Sequence, residues 1–275
     1  MTESDILARL YAAKAEVLAL EKEREPLATL VERAAARLGE RRSLRDAIAA
    51  ARGPAIIAEI KRASPSKGLI VHQLDPAKIA QRYNAAGADA ISVLTESDHF
   101  LGDLVYLDAA RAAAPLPIMR KDFLTEPYQV VQSAAHGADA IIAIVAGLDD
   151  ATIRALLEEA QRWRLDVLVE IHDERELERA LALGATLLGI NNRDLRTFET
   201  SLAVAEELLP RIPSSVLAIS ESGIGSPEDT KPLVDAGARG FLIGESLMRA
   251  EDPAELIRAI KAPRPISTTA ATAVR

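Results

Sequence analysis

The feature that most constrains the fold is a unit that occurs four times, in which an amphipathic stretch ends at a Gly-Ala pair and an apolar run follows at once. The glycines of the four pairs, Gly87, Gly137, Gly184 and Gly237, lie 50, 47 and 53 residues apart. A glycine that ends a helix and a buried run directly after it are typical of a helix followed by a parallel strand. The repeat therefore predicts helices and strands that alternate along the chain.

Four further apolar runs lie among the four that follow the glycines, at residues 55–61, 117–121, 166–171 and 215–220. Eight strands alternating with helices over about 200 residues favour a closed (β/α)8 barrel, the TIM-barrel class of α/β fold. An open doubly wound sheet is the structural alternative. That fold usually carries a glycine-rich phosphate turn after its first strand, and neither GxGxxG nor GxxxxGK[ST] occurs in the chain.

The chain has 275 residues and is predicted to form one catalytic barrel with an N-terminal helical extension packed on it. We place the extension at residues 1–53, the barrel at 54–262 and a loose tail, which has little to bury, at 263–275. Proline at or near the first turn marks several helix starts. The barrel helices are predicted at 76–86, 103–113, 126–136, 149–163, 173–183, 201–209, 226–236 and 253–261.

Three helices are predicted within the extension. The third begins near Ser43, with Asp46 three residues on in the pattern of a capping box. The second begins at Pro26 and has Gly39 as its cap. The inward-facing side chains are predicted to be Ile6, Leu10, Ala13, Val17 and Leu20 in the first helix and Leu27, Leu30, Val31, Ala34 and Leu38 in the second.

Composition excludes several kinds of function. A net charge of -8 argues against binding to nucleic acid, and the longest apolar run, residues 140–148, is too short to cross a membrane. The chain has no cysteine, and it begins without the basic region of a secretory signal, so we expect a cytoplasmic protein. The four histidines lack metal-binding spacing, and no metal is assigned. We expect a monomer, with a weak homo-oligomer as the alternative.

Charged and polar side chains stand at the carboxyl ends of the predicted strands, where barrel enzymes build their active sites. Strands that are otherwise Ile, Val, Leu and Ala bury such groups only when the groups are paired or used. A salt-bridge network that ties the strands together is the structural alternative to a catalytic cluster. The candidates are Glu59 and Lys61 at the first strand, Lys121 at the third, Glu170 at the fifth, Asn191 at the sixth, and Glu221 with Ser222 at the seventh.

Other strand-end loops predict a binding pocket. The polar loop that starts at Ser64 offers hydroxyl, ammonium and backbone donors, although an ordinary turn has the same composition. Gly223 and Gly244 follow the seventh and eighth strands, the usual phosphate site of such barrels. Phe100, Phe123 and Leu195 follow the second, third and sixth strands and are predicted to wall an apolar pocket for a ring.

Seven segments in register resemble one family of barrel enzymes, the indole-3-glycerol phosphate synthases of tryptophan biosynthesis. The segments are AEIKRASPSKG, SVLTESDHFLGD, IMRKDF, LVEIHD, GINNRDL, ISESGI and FLIGESLM, and the resemblance extends from about Ser43 to Ile260. It implies ring closure, decarboxylation and dehydration of 1-(2-carboxyphenylamino)-1-deoxyribulose 5-phosphate, a small phosphorylated substrate, without a metal or organic cofactor. It also implies that the N-terminal extension contributes to the pocket for the anthranilate ring.

The resemblance assigns roles to individual residues. Lys121 would protonate the substrate carbonyl, and Lys61 would hold the carboxylate that leaves as carbon dioxide. Glu170 would act as acid or base in the loss of water, with Glu59 as a second carboxylate nearby. The remaining implied contacts are Asn191 and Ser222 to substrate hydroxyls, Ser64, Gly223, Gly244 and the Glu245 backbone to phosphate, and Arg193 and Glu221 elsewhere on the substrate.

Two chemical expectations accompany these roles. Two lysines in one barrel mouth are expected to lower each other's pKa, which suits proton transfer near neutral pH. Glu245 stands where the family often has Ser or Thr, so its carboxylate is expected to point away from the phosphate.

Three other functions stay open on the residues alone. A buried strand-end lysine such as Lys121 is typical of Schiff-base aldolase barrels. A sugar-phosphate isomerase barrel such as phosphoribosylanthranilate isomerase resembles the phosphate end, but that family has a cysteine at its first strand and this chain has none. A ligand-binding scaffold barrel is the non-enzyme alternative, and it predicts loss of the charged residues at the strand ends.

Overall fold

The computed structural model describes residues 6–194 and 197–262. Eight parallel strands form one closed sheet, in which each strand pairs with the next along the chain and the last pairs with the first. The open doubly wound alternative is therefore wrong. The strands are β1 Ala55–Ile60, β2 Ala90–Leu94, β3 Ile118–Lys121, β4 Ala140–Ile144, β5 Asp166–Ile171, β6 Leu187–Asn191, β7 Leu217–Glu221 and β8 Gly240–Ile243.

Helices precede the barrel and separate its strands. The extension contains α1 Ile6–Arg24, α2 Leu27–Ala36 and α3 Leu44–Ala50. The barrel contains α4 Pro76–Ala86, α5 Val105–Ala113, α6 Pro127–Ala135, α7 Asp150–Arg162, α8 Glu174–Ala182, α9 Ala203–Leu208, α10 Pro227–Ala236, α11 Glu245–Arg249 and α12 Pro253–Lys261. The α-helix α11 and a hairpin of Ala63–Ser64 with Gly68–Leu69 have no counterpart in the sequence prediction.

The local signals in the sequence act as expected. Prolines occupy the first turn of α4, α6, α10 and α12, where a missing N–H costs no helical hydrogen bond. All four repeat glycines have positive φ, from 80° at Gly137 to 120° at Gly237, a backbone region that disfavours residues with a Cβ. A strand begins three residues after each of these glycines. The predicted unit of helix, glycine and strand is confirmed.

Closure of the sheet depends on the contact between β1 and β8. Ala55 pairs with Gly240 at the start of both strands. A Cβ at Gly240 would overlap the carbonyl oxygen and side chain of Ala55. Glycine at this point therefore lets the two strands approach closely enough to close the barrel.

Apolar side chains fill the inside of the closed sheet, while a larger apolar layer lies between the sheet and the helices. The extension contributes to the inner cluster at both ends of the barrel. Leu44 and Ile48 of α3 pack into it near the strand starts, and Leu10 of α1 joins it with Phe123 beyond the strand ends. The extension thus covers the floor of the barrel and part of its mouth.

Two consecutive arginines attach the extension to the barrel. The Arg41 guanidinium donates to the carbonyl oxygens of Ala134, Ala138 and Trp163. The Arg42 guanidinium donates to those of Ala114 and Leu116, at 2.7 and 2.9 Å. These carbonyl oxygens lie in the last turn of a barrel helix or just after its end, so the arginines supply donors where the helical hydrogen-bond pattern runs out.

The predicted inward faces of α1 and α2 are wrong in part. In α1 the buried side chains are Leu10, Lys14 and Leu18, whereas Leu20 is 53% exposed because it lies about 200° around the helix from Leu18. In α2, Leu30 and Ala34 are buried, and the two residues Leu27 and Val31 are exposed. The helix ends at Ala36, and Gly39 lies in the 3-10 turn Leu38–Glu40 rather than serving as the cap.

The sequence also predicts that no segment crosses a membrane and that the tail is loose. Within residues 6–194 and 197–262, no helix combines the length and the apolar character that crossing a membrane requires. The tail at 263–275, which we expect to be loose, lies outside the described residues.

We expect Ser43→Ala to lower the free energy of unfolding by about 1–2 kcal/mol. The Ser43 hydroxyl accepts from the Asp46 N–H as the cap of α3, and it donates to Asp166 at the start of β5, both at 3.0 Å. Urea unfolding measures the change, and the exposed Ser214→Ala is the control, expected within about 0.5 kcal/mol of the wild type. Equal losses in the two variants would contradict a specific role for Ser43.

Candidate active site

A cavity of about 610 Å3 lies at the carboxyl ends of the barrel strands. Every candidate from the sequence except Leu195 lines it, and Leu195 lies outside the described residues. The cavity therefore brings together Glu59, Lys61, Ser64, Phe100, Lys121, Phe123, Glu170, Asn191, Arg193, Glu221, Ser222, Gly223, Gly244 and Glu245.

Strand alternation explains why the charged groups point inward. Side chains two residues apart on a strand lie on the same face. Four of the charged residues follow, at that spacing, an apolar residue of the inner cluster. The pairs are Ile57 with Glu59, Met119 with Lys121, Leu168 with Glu170, and Ile219 with Glu221.

Lys121 lies between two buried carboxylates. Its Nζ is 2.9 Å from Glu170 Oε2 and 3.3 Å from Glu221 Oε2. The Asn191 amide donates to the other Glu170 oxygen at 3.1 Å. Glu170 and Glu221 are each 1% exposed, so both carboxylates have little contact with water and interact strongly with the ammonium.

A second ion pair lies at the end of β1, where Lys61 Nζ is 2.6 Å from Glu59 Oε1. A Cβ at Gly244 would overlap both side chains of this pair. Gly189 has a similar role, since a Cβ there would overlap Glu221. The two glycines provide the space that the buried charges occupy, a role for Gly244 that its position after a strand does not reveal.

The expected pKa of Lys121 is wrong in direction. Burial lowers the pKa of this lysine, but the negative charges of Glu170, Glu221 and Glu59 outweigh burial and raise it above its ordinary value. The neighbouring carboxylates dominate over the second lysine, which itself pairs with Glu59. Lys121 therefore carries a proton at neutral pH.

The two carboxylates around Lys121 differ in pKa. Burial and the charges of Glu170 and Glu59 raise the pKa of Glu221 to about 7, with Lys121 opposing the rise. Burial also acts against ionisation of Glu170, but Lys121, His172 and the Asn191 amide lower its pKa below the ordinary value. Glu221 Oε1 is buried without a hydrogen-bond partner among the described residues. Glu170 is therefore ionised at neutral pH, whereas Glu221 gains or loses its proton near neutral pH.

The loop after β7 has a strained backbone. Ser222 and Gly223 both have positive φ, 64° and 82°, and such a conformation is uncommon for serine. In α11 the Glu245 carboxylate lies 3.2 Å from Arg249 Nε and 3.9 Å from Lys67 Nζ. Two partly exposed cations therefore offset part of the negative charge of Glu245.

The loop after β1 reaches across the mouth to the loop after β6. The Arg193 guanidinium donates to the Ser66 hydroxyl, and the Arg193 N–H donates to the Asn191 side chain at 3.1 Å. Ser64 is buried at the end of the first hairpin segment. The contact between Arg193 and Ser66 links the two loops above the ion pairs.

Aromatic side chains form one wall of the cavity. The ring centroids of Phe100 and Phe123 are 6.3 Å apart, and Tyr11 of α1 packs edge-on against Phe123 at 5.4 Å. Leu10 lines the same cavity. The extension therefore contributes directly to the wall, as the resemblance implies.

Sequence reasoning missed a buried polar cluster beneath this wall. Lys14 of α1 is 4% exposed, and its Nζ is 3.0 Å from Asp122 Oδ2. The same carboxylate accepts from the Thr95 hydroxyl at 2.6 Å and from the Arg120 guanidinium at 2.7 Å. Lys14 stands four residues from both Leu10 and Leu18, and this spacing was the available signal that it lies on the inward stripe.

The site offers few groups to a metal. No cluster of three or more His, Cys, Asp or Glu side chains with suitable geometry occurs in the part of the chain that the structure describes. The cavity instead presents paired charges, hydroxyls and backbone N–H groups.

Solved structures with the same architecture share little sequence with the chain. Thiamine phosphate pyrophosphorylase from Pyrococcus furiosus superposes with a TM-score of 0.57 at 14% identity, covering 76% of this chain and 94% of that one. A structure described as native KDPGal superposes with a TM-score of 0.53 at 22% identity, covering 74% and 91%. The closed barrel, with charged side chains in a cavity at the carboxyl ends of its strands, is typical of the class of (β/α)8-barrel enzymes.

Proteins found by sequence similarity share more identical residues with the chain than these structures do. The family model for indole-3-glycerol phosphate synthase matches residues 7–260. Indole-3-glycerol phosphate synthase from Polaromonas sp. (strain JS666 / ATCC BAA-500) is 49% identical, covering 91% of this chain and 96% of its own. The synthase from Azospirillum brasilense is 44% identical, covering 94% and 100%. The chain belongs to the indole-3-glycerol phosphate synthase family, which consists of carboxy-lyases of tryptophan biosynthesis. The resemblance seen in the sequence is confirmed, and the aldolase, isomerase and scaffold alternatives are set aside.

We expect Lys14→Met to lower the free energy of unfolding by about 3 kcal/mol. The buried Asp122 carboxylate loses one of its two cationic partners and keeps only Arg120. Lys22→Met is the matched control. Lys22 lies in the same helix and pairs with Glu126 at the surface, so its loss is expected to cost less than about 1 kcal/mol. Chemical unfolding measures both variants. A Lys14 variant as stable as the control would contradict the role of the buried pair.

We expect Glu221→Gln to gain stability relative to the wild type as the pH rises from about 5 to about 8. The pKa of Glu221 is higher in the folded protein, so the folded state holds this proton more tightly. The stability it contributes is present below its unfolded pKa and is lost as the pH rises through about 7. Glutamine cannot ionise. Urea unfolding at both pH values tests this, with the exposed Glu228→Gln as control, and an unchanged difference would contradict the raised pKa.

Proposed function

We propose that the chain converts 1-(2-carboxyphenylamino)-1-deoxyribulose 5-phosphate to indole-3-glycerol phosphate, with release of carbon dioxide and water. The observation that carries the proposal is the partly buried Lys121 ammonium between the buried carboxylates of Glu170 and Glu221, in the cavity that also holds the Glu59–Lys61 pair. Membership of the family supports the reaction. The geometry of the charges supports the roles that follow.

The cavity offers a separate place for each part of the substrate. We assign the phosphate to Ser64 and to the backbone of Gly223, Gly244 and Glu245, where the loops after β7 and β8 meet. The anthranilate ring is assigned to the wall that contains Phe100 and Phe123. Its carboxylate then reaches the Lys61 ammonium. Asn191, Ser222, Arg193 and Glu221 remain for the hydroxyls and the rest of the substrate.

Ring closure requires a proton donor at the carbonyl oxygen. The ring carbon that bears the carboxylate attacks the substrate carbonyl carbon, and Lys121 donates a proton as that oxygen gains charge. The raised pKa of Lys121 keeps the proton in place until this step. A charge aimed at the developing oxyanion stabilises the transition state more than the bound substrate.

Decarboxylation follows when the bond between the ring and the carboxylate carbon breaks. Its electron pair returns to the ring, which restores aromaticity, and carbon dioxide leaves from beside Lys61. Lys61 is paired with Glu59 and is 15% exposed, so the carboxylate meets a positioned ammonium in a mostly dry site.

Dehydration needs a proton donor and a proton acceptor. The hydroxyl formed at ring closure gains a proton and leaves as water, while the adjacent carbon loses a proton to give the indole double bond. Glu170 takes one of these roles, and its hydrogen bonds to Lys121 and Asn191 orient both of its oxygens. Glu59 is the second carboxylate available to position the hydroxyl or the amine.

We further propose that the protein acts in the cytoplasm as a monomer, without a nucleic-acid or membrane partner and without a metal or organic cofactor. The acidic, cysteine-free composition supports this placement. Sedimentation of the purified protein measures its mass, and a stable dimer would contradict the monomer.

We expect the wild type to produce indole fluorescence from the carboxyphenylamino-deoxyribulose phosphate, and Lys121→Ala to lower kcat by at least about 10³-fold because it removes the proton donor. Binding of the phosphate end should change little. Lys78→Ala, an exposed lysine of α4, is the control. Near-wild-type kcat in Lys121→Ala would overturn the assignment, as would a covalent adduct trapped with borohydride.

A further inference from the structure

A second cavity of about 670 Å3 adjoins the site and shares Asn191 and Arg193 with it. It lies between α1, the start of α8 and the loop after β6. His172 and Glu176 line this second cavity, and exposed residues such as Asp173 and Glu199 lie at its edge. The second cavity therefore connects the region behind Glu170 with the protein surface.

His172 stands between two carboxylates. Its Nε2 is 3.4 Å from Glu170 Oε1, and its Nδ1 is 3.1 Å from Glu176 Oε2. The same Glu176 oxygen accepts the backbone N–H of His172 at 2.8 Å. The two contacts to Glu176 hold the ring so that Nδ1 faces Glu176 and Nε2 faces the Glu170 carboxylate.

The Nε2 atom of the His172 ring is an unsatisfied polar atom within the part of the chain that the structure describes. It is buried and has no hydrogen-bond partner among the described residues, although it lies within ion-pair distance of Glu170. A buried ring nitrogen normally has a partner, because an unsatisfied polar atom costs free energy. The arrangement leaves Nε2 free to take a proton from Glu170 or return one to it.

We propose that His172 is a proton relay that exchanges protons between Glu170 and Glu176 and so with the second cavity. A proton leaves Glu170 Oε1 for Nε2, and the Nδ1 proton of the resulting imidazolium passes to Glu176 Oε2. No bond other than those to hydrogen changes. The inference rests on the proposed function, since Glu170 gives up or gains a proton in the dehydration step.

The relay has a physical purpose. Glu170 is 1% exposed, and a substrate that fills the first cavity covers the side that faces Lys121. After each turnover Glu170 must return to its starting protonation state before the next reaction. A route through the opposite side restores that state without passing through the occupied cavity.

The charges around His172 favour a role in proton exchange. Burial lowers its pKa, but the hydrogen bond to Glu176 and the negative charge of Glu170 outweigh burial and raise it above the ordinary value. The ionisable groups whose charges act on the ring are Glu170, Glu176 of α8 and Glu221 of β7. Those that line the second cavity with it are Asp173, Tyr11 of α1, and Arg193, Asp194 and Glu199 of the loop after β6.

The first experiment compares His172→Asn with the wild type and with His72→Asn, an exposed histidine outside both cavities. We expect kcat of His172→Asn to fall about 10-fold or more with KM unchanged, and the pH profile of kcat to lose one inflection. Unchanged kcat and pH profile, or a change in KM alone, would overturn the relay.

The second experiment separates a relay from a structural role. We expect imidazole in the buffer to restore part of the kcat of His172→Ala, since the second cavity admits a small base. Glu176→Gln keeps the histidine and should lower kcat in the same direction. Absence of rescue in a folded His172→Ala, judged by circular dichroism, would overturn the relay. If the wild type itself forms no indole product, the proposed function fails instead.

Discussion

The pairing of β1 with β8 is the constraint on which the rest of the structure depends. Once the close contact of Gly240 with Ala55 closes the sheet, every second side chain of each strand must point into a narrow interior. Apolar side chains fill most of that interior. On four strands, the next inward-facing side chain toward the carboxyl end is charged. Closure therefore converts a sequence spacing of two residues into a ring of charges around one cavity.

Burying these charges costs free energy that only pairing offsets. The protein arranges three carboxylates and two ammonium groups so that each cation has a carboxylate partner, while Glu221 keeps one oxygen without a hydrogen-bond partner among the described residues. The residues that the sequence presents either as a salt-bridge network or as a catalytic cluster do form salt bridges, and the proposed function assigns the catalytic roles to the same set. Substrate groups that displace one partner change the protonation of the others.

The fold was predictable because its signals are local. Proline at helix starts and glycine at helix ends act through the backbone of the residues beside them, and β5 occupies its predicted span. The side chains at the strand ends were also predictable, since alternation places them. The pKa of Lys121, the space that Gly244 provides, and the Lys14–Asp122 pair were not, because each depends on groups distant in sequence. Exposure of Leu20 shows that helical spacing alone leaves the direction of the inward face open.

Contacts between the N-terminal extension and the barrel bear on the order in which the chain folds. Lys14 and Ser43 find their partners, Asp122 and Asp166, 108 and 123 residues later. On a ribosome the extension emerges long before either partner exists, and such distant contacts are slow to form. These two contacts can form only after β3 and β5, in or beside which their partners lie, have been synthesised. We therefore expect docking of the extension to be a late folding event, which joins an early-made segment to a barrel that is already largely built.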